Sequence, residues 1–392
     1  EIPHHADIAA ALPAAAPARP TPAMAAEPVV SVIVVNWNGR AHLTPLYASL
    51  RASDFPRHRL ELLCVDNGST DGSQALLAAE FPEVRVVALP ENRGFTGGNI
   101  AGVAVARGDV LMFLNNDMRV EPDTIARLVA AMDEAHPCTG ACVLSWDGER
   151  IDFLRGTASW EARGFQEHFG APRGTVPTLD TDATFFPNGG AFAITRDLYT
   201  RAGGFDAAFF AYYDDLDLGW GLRNAGGNVR VVRDAIVYHR HGATSSAQPR
   251  GQKRFLMERN ALWTMVKRYG DDTLARALAP ALLLAVRRFV QDAVFTTTRD
   301  TAGVPGPISM TRAPLETMAA LGEAVRGLGG VIATRRLVDA HRTAGDERVV
   351  SRLGRTFEAL SSRTGYRAVQ EALMEVFGLG PVLRGRSRVL LL

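Results

Sequence analysis

The sequence predicts an α/β protein: a mostly parallel central sheet within its first 250 residues, followed by a helical C-terminal region. Three observations predict it. Short β-branched runs alternate with helical stretches between residues 29 and 114. Each run ends in polar residues. From about residue 251 strand patterns fade and helical spacing takes over. Alternation at this spacing builds βαβ units, whose ligands bind beyond the carboxyl ends of the strands.

Residues 1–28 contain 11 Ala and 6 Pro. They have little to bury and read as a flexible tether. Residues 29–35 (VVSVIVV), 60–65 (LELLCV), 84–89 and 110–114 (VLMFL) read as strands, the first buried on both faces. Helices are expected at 41–52, 73–81 and 99–107, and further strands at 192–194, 229–232 and 235–238. Beyond a boundary near 250, Phe255, Leu262, Val266 and Tyr269 share one helical face. Residues 273–298, 312–345 and 347–378 also read as helices, broken by a Gly/Pro loop at 303–307. The expected domains are therefore the tether 1–28, an α/β domain 29–250 and a helical domain 251–392.

Composition excludes several classes. Of 392 residues, 47% are hydrophobic and 22% charged, which rules out a disordered or collagen-like chain. With 43 basic and 42 acidic side chains the net charge is +1, which argues against binding nucleic acid by bulk electrostatics. Three cysteines, Cys64, Cys138 and Cys142, cannot form a disulfide framework, so they read as packing thiols in a reducing compartment. The most apolar run, 277–286, has 10 residues where a membrane span needs about 20. No basic stretch followed by an apolar core opens the chain, so no signal peptide is expected.

The chemistry gathers at the strand ends. The first strand runs into Asn36-Trp37-Asn38-Gly39, the second into Asp66-Asn67-Gly68-Ser69-Thr70-Asp71. An Asp directly after a buried strand can accept from a base N–H or a ribose hydroxyl, although capped turns have the same composition. In Asn92-Arg93-Gly94-Phe95-Thr96-Gly97-Gly98, glycines would let backbone approach a ligand and Arg93 could meet a phosphate. Asn115-Asn116-Asp117 follows the fourth strand. One carboxylate beside an amide suffices for a hard cation whose other ligands are phosphates. Asp214, Asp215 and Asp217 crowd together beside Tyr212 and Tyr213, and such crowding raises carboxylate pKa values toward those of a general base. His239 and His241 follow the last strand-like run.

In this order the motifs resemble the inverting glycosyltransferases of family 2, which have the GT-A fold. The resemblance spans residues 30–268, and the wording Leu-Asn-Asn-Asp at 114–117 is similar to bacterial rhamnosyltransferases and galactofuranosyltransferases of cell-surface glycan synthesis. It implies that Asp66 binds the nucleotide base or ribose, with Asn36, Ser69, Asp71, Arg93 and Asn116 nearby. Asn115 and Asp117 stand at the family's Asp-X-Asp motif. Asp117 and His239 would hold Mg²⁺ or Mn²⁺ on the donor diphosphate, with register after Tyr238 favouring His239 over His241. Asp215 stands at the catalytic base, with Asp214 beside it. Gly189, Gly190, Trp220 and Arg259 fall on the acceptor side.

The implied reaction moves a sugar from a nucleoside diphosphate to a glycan or lipid-linked acceptor. dTDP-rhamnose is the first donor to consider and a UDP-sugar the next. The implied location is the cytoplasm, with peripheral contact at the inner face of the plasma membrane. Residues 335–392, with 11 Arg against 6 acidic residues, could supply that contact; a homo-oligomer interface is the other use for these helices. Two departures stand out: Asn115 replaces the first Asp of Asp-X-Asp, and Gly221 stands where many relatives have Arg, with Arg223 two residues on. These leave room for a different function, a non-catalytic sugar-nucleotide-binding scaffold. A sugar-nucleotide pyrophosphorylase fits less well, because its Gly-rich signature is missing near the N-terminus.

Overall fold

The computed structural model describes residues 28–175, 183–240, 250–294, 312–360 and 365–383. The tether (apart from Pro28), the 303–307 loop and His241 lie outside the described residues. Two compact units are present. The first holds the described residues through Thr157, those from Gly164 to 240, and Ala340–Thr343. The second holds Ala158–Arg163, the described residues from 250 to Asp339, and those from Ala344 onward.

The first unit is built on one ten-stranded sheet. β1 (Val30–Asn36), β2 (Leu60–Asn67), β3 (Arg85–Leu89) and β4 (Val110–Leu114) are its parallel part, in the order β4-β1-β2-β3. Crossovers run through α1 (Arg40–Arg51), α2 (Ser73–Glu80) and α3 (Gly94–Val105). Beyond β4 the sheet turns mixed. β5 (Met118–Val120), β6 (Cys138–Ser145), β7 (Ile151–Phe153), β10 (Ala183–Thr184), β11 (Ala191–Thr195) and β12 (Val229–His239) join there, and β11 pairs antiparallel with both β4 and β6. The longest ladders, β1 with β2 and β6 with β12, remain parallel as expected. Short connections such as the turn from β6 to β7 permit only antiparallel pairing. The two runs at 229–232 and 235–238 are one strand with a register shift between Val232 and Ile236.

Helix α4 (Thr124–Ala130) follows β5, and β8 (Arg155–Ala158) pairs with β9 (Gly164–Glu167) in a separate two-stranded sheet. The core lies where β1, β2, β4 and β11 meet α5 (Arg196–Arg201) and α6 (Asp214–Asn224). Phe113 stacks on Phe192 at 4.9 Å and meets Phe205 edge-on at 5.1 Å. α3 begins a full turn earlier than expected because its glycines serve packing. A Cβ on Gly98 would sit 2.6 Å from Val35 Cγ1, and one on Gly102 2.5 Å from Ile33 Cγ2. These glycines let the helix lie close on β1, so the expected ligand approach does not apply to them. The three cysteines are free and buried.

The second unit is helical. It contains α7 (Arg250–Arg268), α8 (Asp271–Val294), α9 (Arg312–Arg326), α10 (Leu328–Asp339), α11 (Asp346–Val350), α12 (Tyr366–Val376) and α13 (Leu379–Leu383). The expected helix 312–345 is interrupted at Gly327, where the Trp263 indole leaves no room for a side chain: a Cβ would lie 2.4 Å from its ring. The Trp263 Nε1–H donates to Ala324 O at 3.1 Å, just before that break. The expected helix 347–378 is interrupted as well; Gly354 and Gly365 take left-handed backbone (φ 79° and 80°).

A buried ion cluster ties this unit together. Glu258 on α7 accepts from Arg163 and Arg288, and Arg288 also donates to Glu161 at 2.8 Å and to the Tyr366 hydroxyl at 2.7 Å. Burial alone would raise the Glu258 pKa, but the two arginines bring it down to about 2. A carboxylate depressed on folding adds stability above its ordinary range and loses it as pH falls through its folded value. Acid unfolding of this unit is therefore expected to steepen between about pH 4.5 and 2. Glu258→Gln should cost about 3–5 kcal/mol in denaturant titrations, because it leaves two buried guanidinium groups sharing one acid.

Candidate active site

The site grows from the ends of β1, β2 and β4. The sheet register sets Asn36 beside Asp66. Asn36 accepts from Asn116 Nδ2 at 2.8 Å and donates to Ser73 Oγ at 3.0 Å and Ser69 Oγ at 3.3 Å. Asp66 is fully buried; Oδ2 accepts from Gln74, while Oδ1 has no hydrogen-bond partner among the described residues. An orphaned carboxylate oxygen at a strand end suits a ligand donor such as a base N–H or ribose hydroxyl.

Other predicted residues have structural work. Asp71 Oδ2 accepts from the Arg40 N–H at 2.8 Å, and Oδ1 from the Ser73 N–H at 3.1 Å. Burial opposes its charge, yet hydrogen bonds from Ser73 and Arg40 hold its pKa below the ordinary range. Asp71 thus fixes the turn. Ser69 Oγ accepts from the Asn38 N–H at 2.9 Å. Arg93, largely exposed at the start of α3, has Glu91 3.9 Å away.

A second group gathers behind β4. Asp117 is buried, and its Oδ1 lies 3.3 Å from His239 Nε2. The other imidazole nitrogen, Nδ1, is bonded to Asp152 Oδ2. The sequence reading missed Asp152; its signal was a lone acid between Ile151 and Phe153 in a strand-like triplet. Burial would lower the His239 pKa, but the hydrogen bonds its ring donates to the two carboxylates raise it to about 9. With no cation on Nε2 the imidazole is therefore protonated between two acids; a cation binding there would displace the Nε2 proton.

Two glycines lie between the acidic pair and Asn115, two residues before Asp117. A Cβ on Gly190 would overlap the Asn115 amide at 2.3 Å, and the Asn115 N–H donates to Gly190 O at 2.9 Å. A Cβ on Gly189 would lie 3.3 Å from Asp215 Cβ and 3.5 Å from Asp214 Oδ2. Asp215 accepts from the N–H groups of Leu216 and Gly189. Burial outweighs these bonds and raises its pKa to about 6. Asp214 is pushed well above the carboxylate range by burial, then by the charge of Asp215. With its pKa raised to about 6, Asp215 is mostly ionised at neutral pH and can accept a proton, while Asp214 is shifted toward its protonated form.

The loop before α6 holds the pair in place. Phe210, Tyr212 and Tyr213 all take left-handed backbone, at φ 65°, 68° and 60°. Such strain persists only where the surroundings impose it. Thr96 supplies part of that, donating its N–H to Phe210 O at 3.2 Å. Gly94 has φ 72°, and a Cβ there would lie 2.5 Å from Phe210 O. Gly94→Ala is expected to cost about 1–3 kcal/mol in strain, plus the displacement of Phe210, read as a lower thermal midpoint together with lost turnover.

Two acceptor-side expectations are corrected. Trp220 has no exposed surface; its ring packs edge-on to Phe185 at 5.5 Å and belongs to the core. Arg259 lies in the second unit, 1% exposed, with its guanidinium 4.2 Å over the Trp263 ring, and so has no surface for an acceptor. Arg223 does not stand in for the missing Arg at 221. It is buried, donates to the carbonyls of Thr184, Phe185 and Gly219, and covers the Phe185 ring at 4.6 Å.

Strand-end amides, an orphaned aspartate and an elevated carboxylate pair at the start of α6 lie in one unit. The family model described as "Glycosyl transferase family 2" matches residues 31–197. The chain carries a family 2 glycosyltransferase domain. It is 26% identical over 268 residues to the N-acetylglucosaminyl-diphospho-decaprenol L-rhamnosyltransferase of Mycobacterium tuberculosis, covering 60% of this chain and 86% of that one. Among solved structures it resembles GalNAc-T7 crystallised with UDP, GalNAc and Mn²⁺, with a TM-score of 0.51, 18% identity, and coverage of 66% of this chain and 52% of that one. It also resembles residues 1–349 of S. aureus TarS in complex with UDP-GlcNAc, with a TM-score of 0.50, 15% identity, and coverage of 89% and 92%. The first unit of this glycosyltransferase has the mixed α/β GT-A fold, followed by the helical C-terminal region. The family match ends before Asp214, so the roles of Asp214, Asp215 and His239 rest on the geometry above.

Proposed function

We propose that this glycosyltransferase is a metal-assisted inverting enzyme that moves a sugar from a nucleoside diphosphate to a glycan or lipid-linked acceptor. The observation that carries this reading is the Gly189-Gly190 turn, which packs Asn115 on one side and Asp214-Asp215 on the other. It couples a donor-phosphate group of residues to a proton acceptor. Asp215 takes the proton of the attacking hydroxyl, and Asp66, Asn36 and Asn116 hold the nucleotide. A single displacement by that hydroxyl inverts the anomeric centre and needs no covalent intermediate.

The donor set fits a hard divalent cation, Mg²⁺ or Mn²⁺. The 3.3 Å between Asp117 Oδ1 and His239 Nε2 is close to the edge of an octahedron with about 2.1 Å ligand bonds, about 3 Å. Among the described residues no cluster of three His, Cys, Asp or Glu side chains is arranged to hold a metal. Bound there, the cation would offset charge on the departing nucleotide.

dTDP-rhamnose is the first donor in this reading, supported by the mycobacterial relative's name, and a UDP-sugar the second. The acceptor belongs to bacterial cell-surface polysaccharide synthesis. We further read a peripheral contact with the inner face of the plasma membrane. Supporting it, α9 and α10 both pack on α7 and leave Leu315, Met318, Val325, Ile332 and Leu337 exposed, with Arg326 and Arg336 among them. Among the described residues no helix is long and apolar enough to cross a membrane. Co-sedimentation with vesicles containing anionic lipid should fall in Val325→Glu/Leu337→Glu; equal binding by that variant would sink the contact.

The deciding experiment incubates the protein with nucleotide sugars and Mn²⁺ or Mg²⁺, with and without EDTA, and follows nucleoside diphosphate release. Consumption of one donor that stops in EDTA and in Asp117→Ala supports the reading and names the sugar. Donor binding without turnover, with Asp215→Asn unchanged, would favour the scaffold reading that Asn115 suggests. Neither binding nor turnover would overturn the assignment of Asp66 and Asp117.

A further inference from the structure

We propose that Asp152 is a positioning residue for the metal centre: it takes the Nδ1 proton of His239 in a hydrogen bond and so presents Nε2 to the cation. This rests on the proposed roles of Asp117 and His239. Imidazole binds a metal through one nitrogen only when the other is fixed as the proton carrier, and a carboxylate behind that second nitrogen also makes the ligand more basic. Here the two nitrogens are already sorted. Nε2 faces Asp117 and Nδ1 faces Asp152.

The backbone is shaped for this contact. In the β6–β7 ladder, Val143 pairs with Phe153 and Leu144 with Ile151, so Asp152 is the extra residue of a β-bulge. Bulges re-aim a side chain out of the regular alternation and recur beside active sites. The Asp152 side chain is 8% exposed, and burying a carboxylate there is costly unless it is paired. Its position on β7 puts it across β6 from β12, where His239 lies opposite Ser145. Asp152 and Asp117 meet opposite edges of one ring, so Asp152 supports the imidazole from behind while Asp117 shares its metal-facing side.

The test measures Mn²⁺ binding by the electron paramagnetic resonance signal of the free ion, in the presence of UDP or dTDP. It uses the wild-type protein, Asp117→Ala, Asp152→Ala, Asp152→Asn and His239→Ala. Removing such an outer partner weakens metal binding by about 10–100-fold. Asp152→Ala should show that loss, and Asp152→Asn a smaller one, because its amide oxygen still accepts from Nδ1–H. Affinity for UDP or dTDP without metal should not change. If Asp152→Ala fails to fold, Asp152→Asn carries the comparison.

Wild-type Mn²⁺ affinity in both Asp152 variants, with loss in His239→Ala, would overturn the positioning role while leaving His239 as ligand. A loss in Asp152→Asn as complete as in Asp117→Ala would also overturn it, making Asp152 a ligand itself. Wild-type affinity in His239→Ala would instead overturn the metal assignment on which the proposal stands.

Discussion

Asp215→Asn should lower sugar transfer by about 10²–10⁴-fold while leaving donor binding intact, the range seen when a positioned general base is lost. The substitution keeps the shape and an oxygen that can still accept from the Leu216 and Gly189 N–H groups, so the loop should survive. What disappears is the carboxylate proposed to take the acceptor's proton. Donor affinity by calorimetry and transfer rate with saturating donor separate the two effects. A variant that transfers within about threefold of wild type would remove Asp215 from the chemistry.

The pH profile follows from the same residue. The base must be ionised, and burial raises its pKa to about 6. Activity should fall about tenfold per pH unit below 6 and level off above it. Burial and then its neighbour's charge shift the Asp214 pKa upward as well, so the Asp215 variant is what assigns the acid limb. Residual activity in Asp215→Asn should lose the acid limb. An acid limb unchanged in that variant would assign the titration to another group.

Much of this arrangement was legible in the chain because buried strands are continuous apolar runs that stop at their ligand ends. β1, β2 and β4 were marked that way, and so were Asn36, Asp66 and Asn115 to Asp117 after them. β6 was not, because its Cys, Thr, Gly and Ala residues are small and carry no β-branched run. Asp152 was hidden for a related reason. Its partner is 87 residues away, and only a bulge in a three-residue strand turns its carboxylate toward that partner. The α3 glycines were legible as unusual but not as packing, since the Ile33 and Val35 side chains they accommodate belong to another element. Trp220 shows the same limit: beside an acidic helix start it looks functional, while the core position of its ring depends on Phe185.

Asp117→Ala should abolish metal-dependent transfer, with a loss of about 10³-fold or more. Asn115 and Asn116 are neutral, so Asp117 is the sole carboxylate in the Asn-Asn-Asp segment, and no neighbouring residue of that segment can replace its charge. Removing one donor that stabilises developing negative charge typically costs about 10²–10³-fold. Here the residue removed would anchor the ion itself, so the loss should reach or exceed the upper end. His239 would remain, held by Asp152, but without one of the two carboxylates that raise its pKa. It should titrate lower in the variant, a shift that selective histidine labelling in solution would detect without any turnover. Two outcomes then separate the roles of Asp117. Lost Mn²⁺ binding with unchanged nucleotide affinity in EDTA assigns it to the cation. Lost nucleotide affinity in EDTA as well would mean that Asp117 also maintains the Asn116–Asn36 contact, and so shapes the nucleotide site directly.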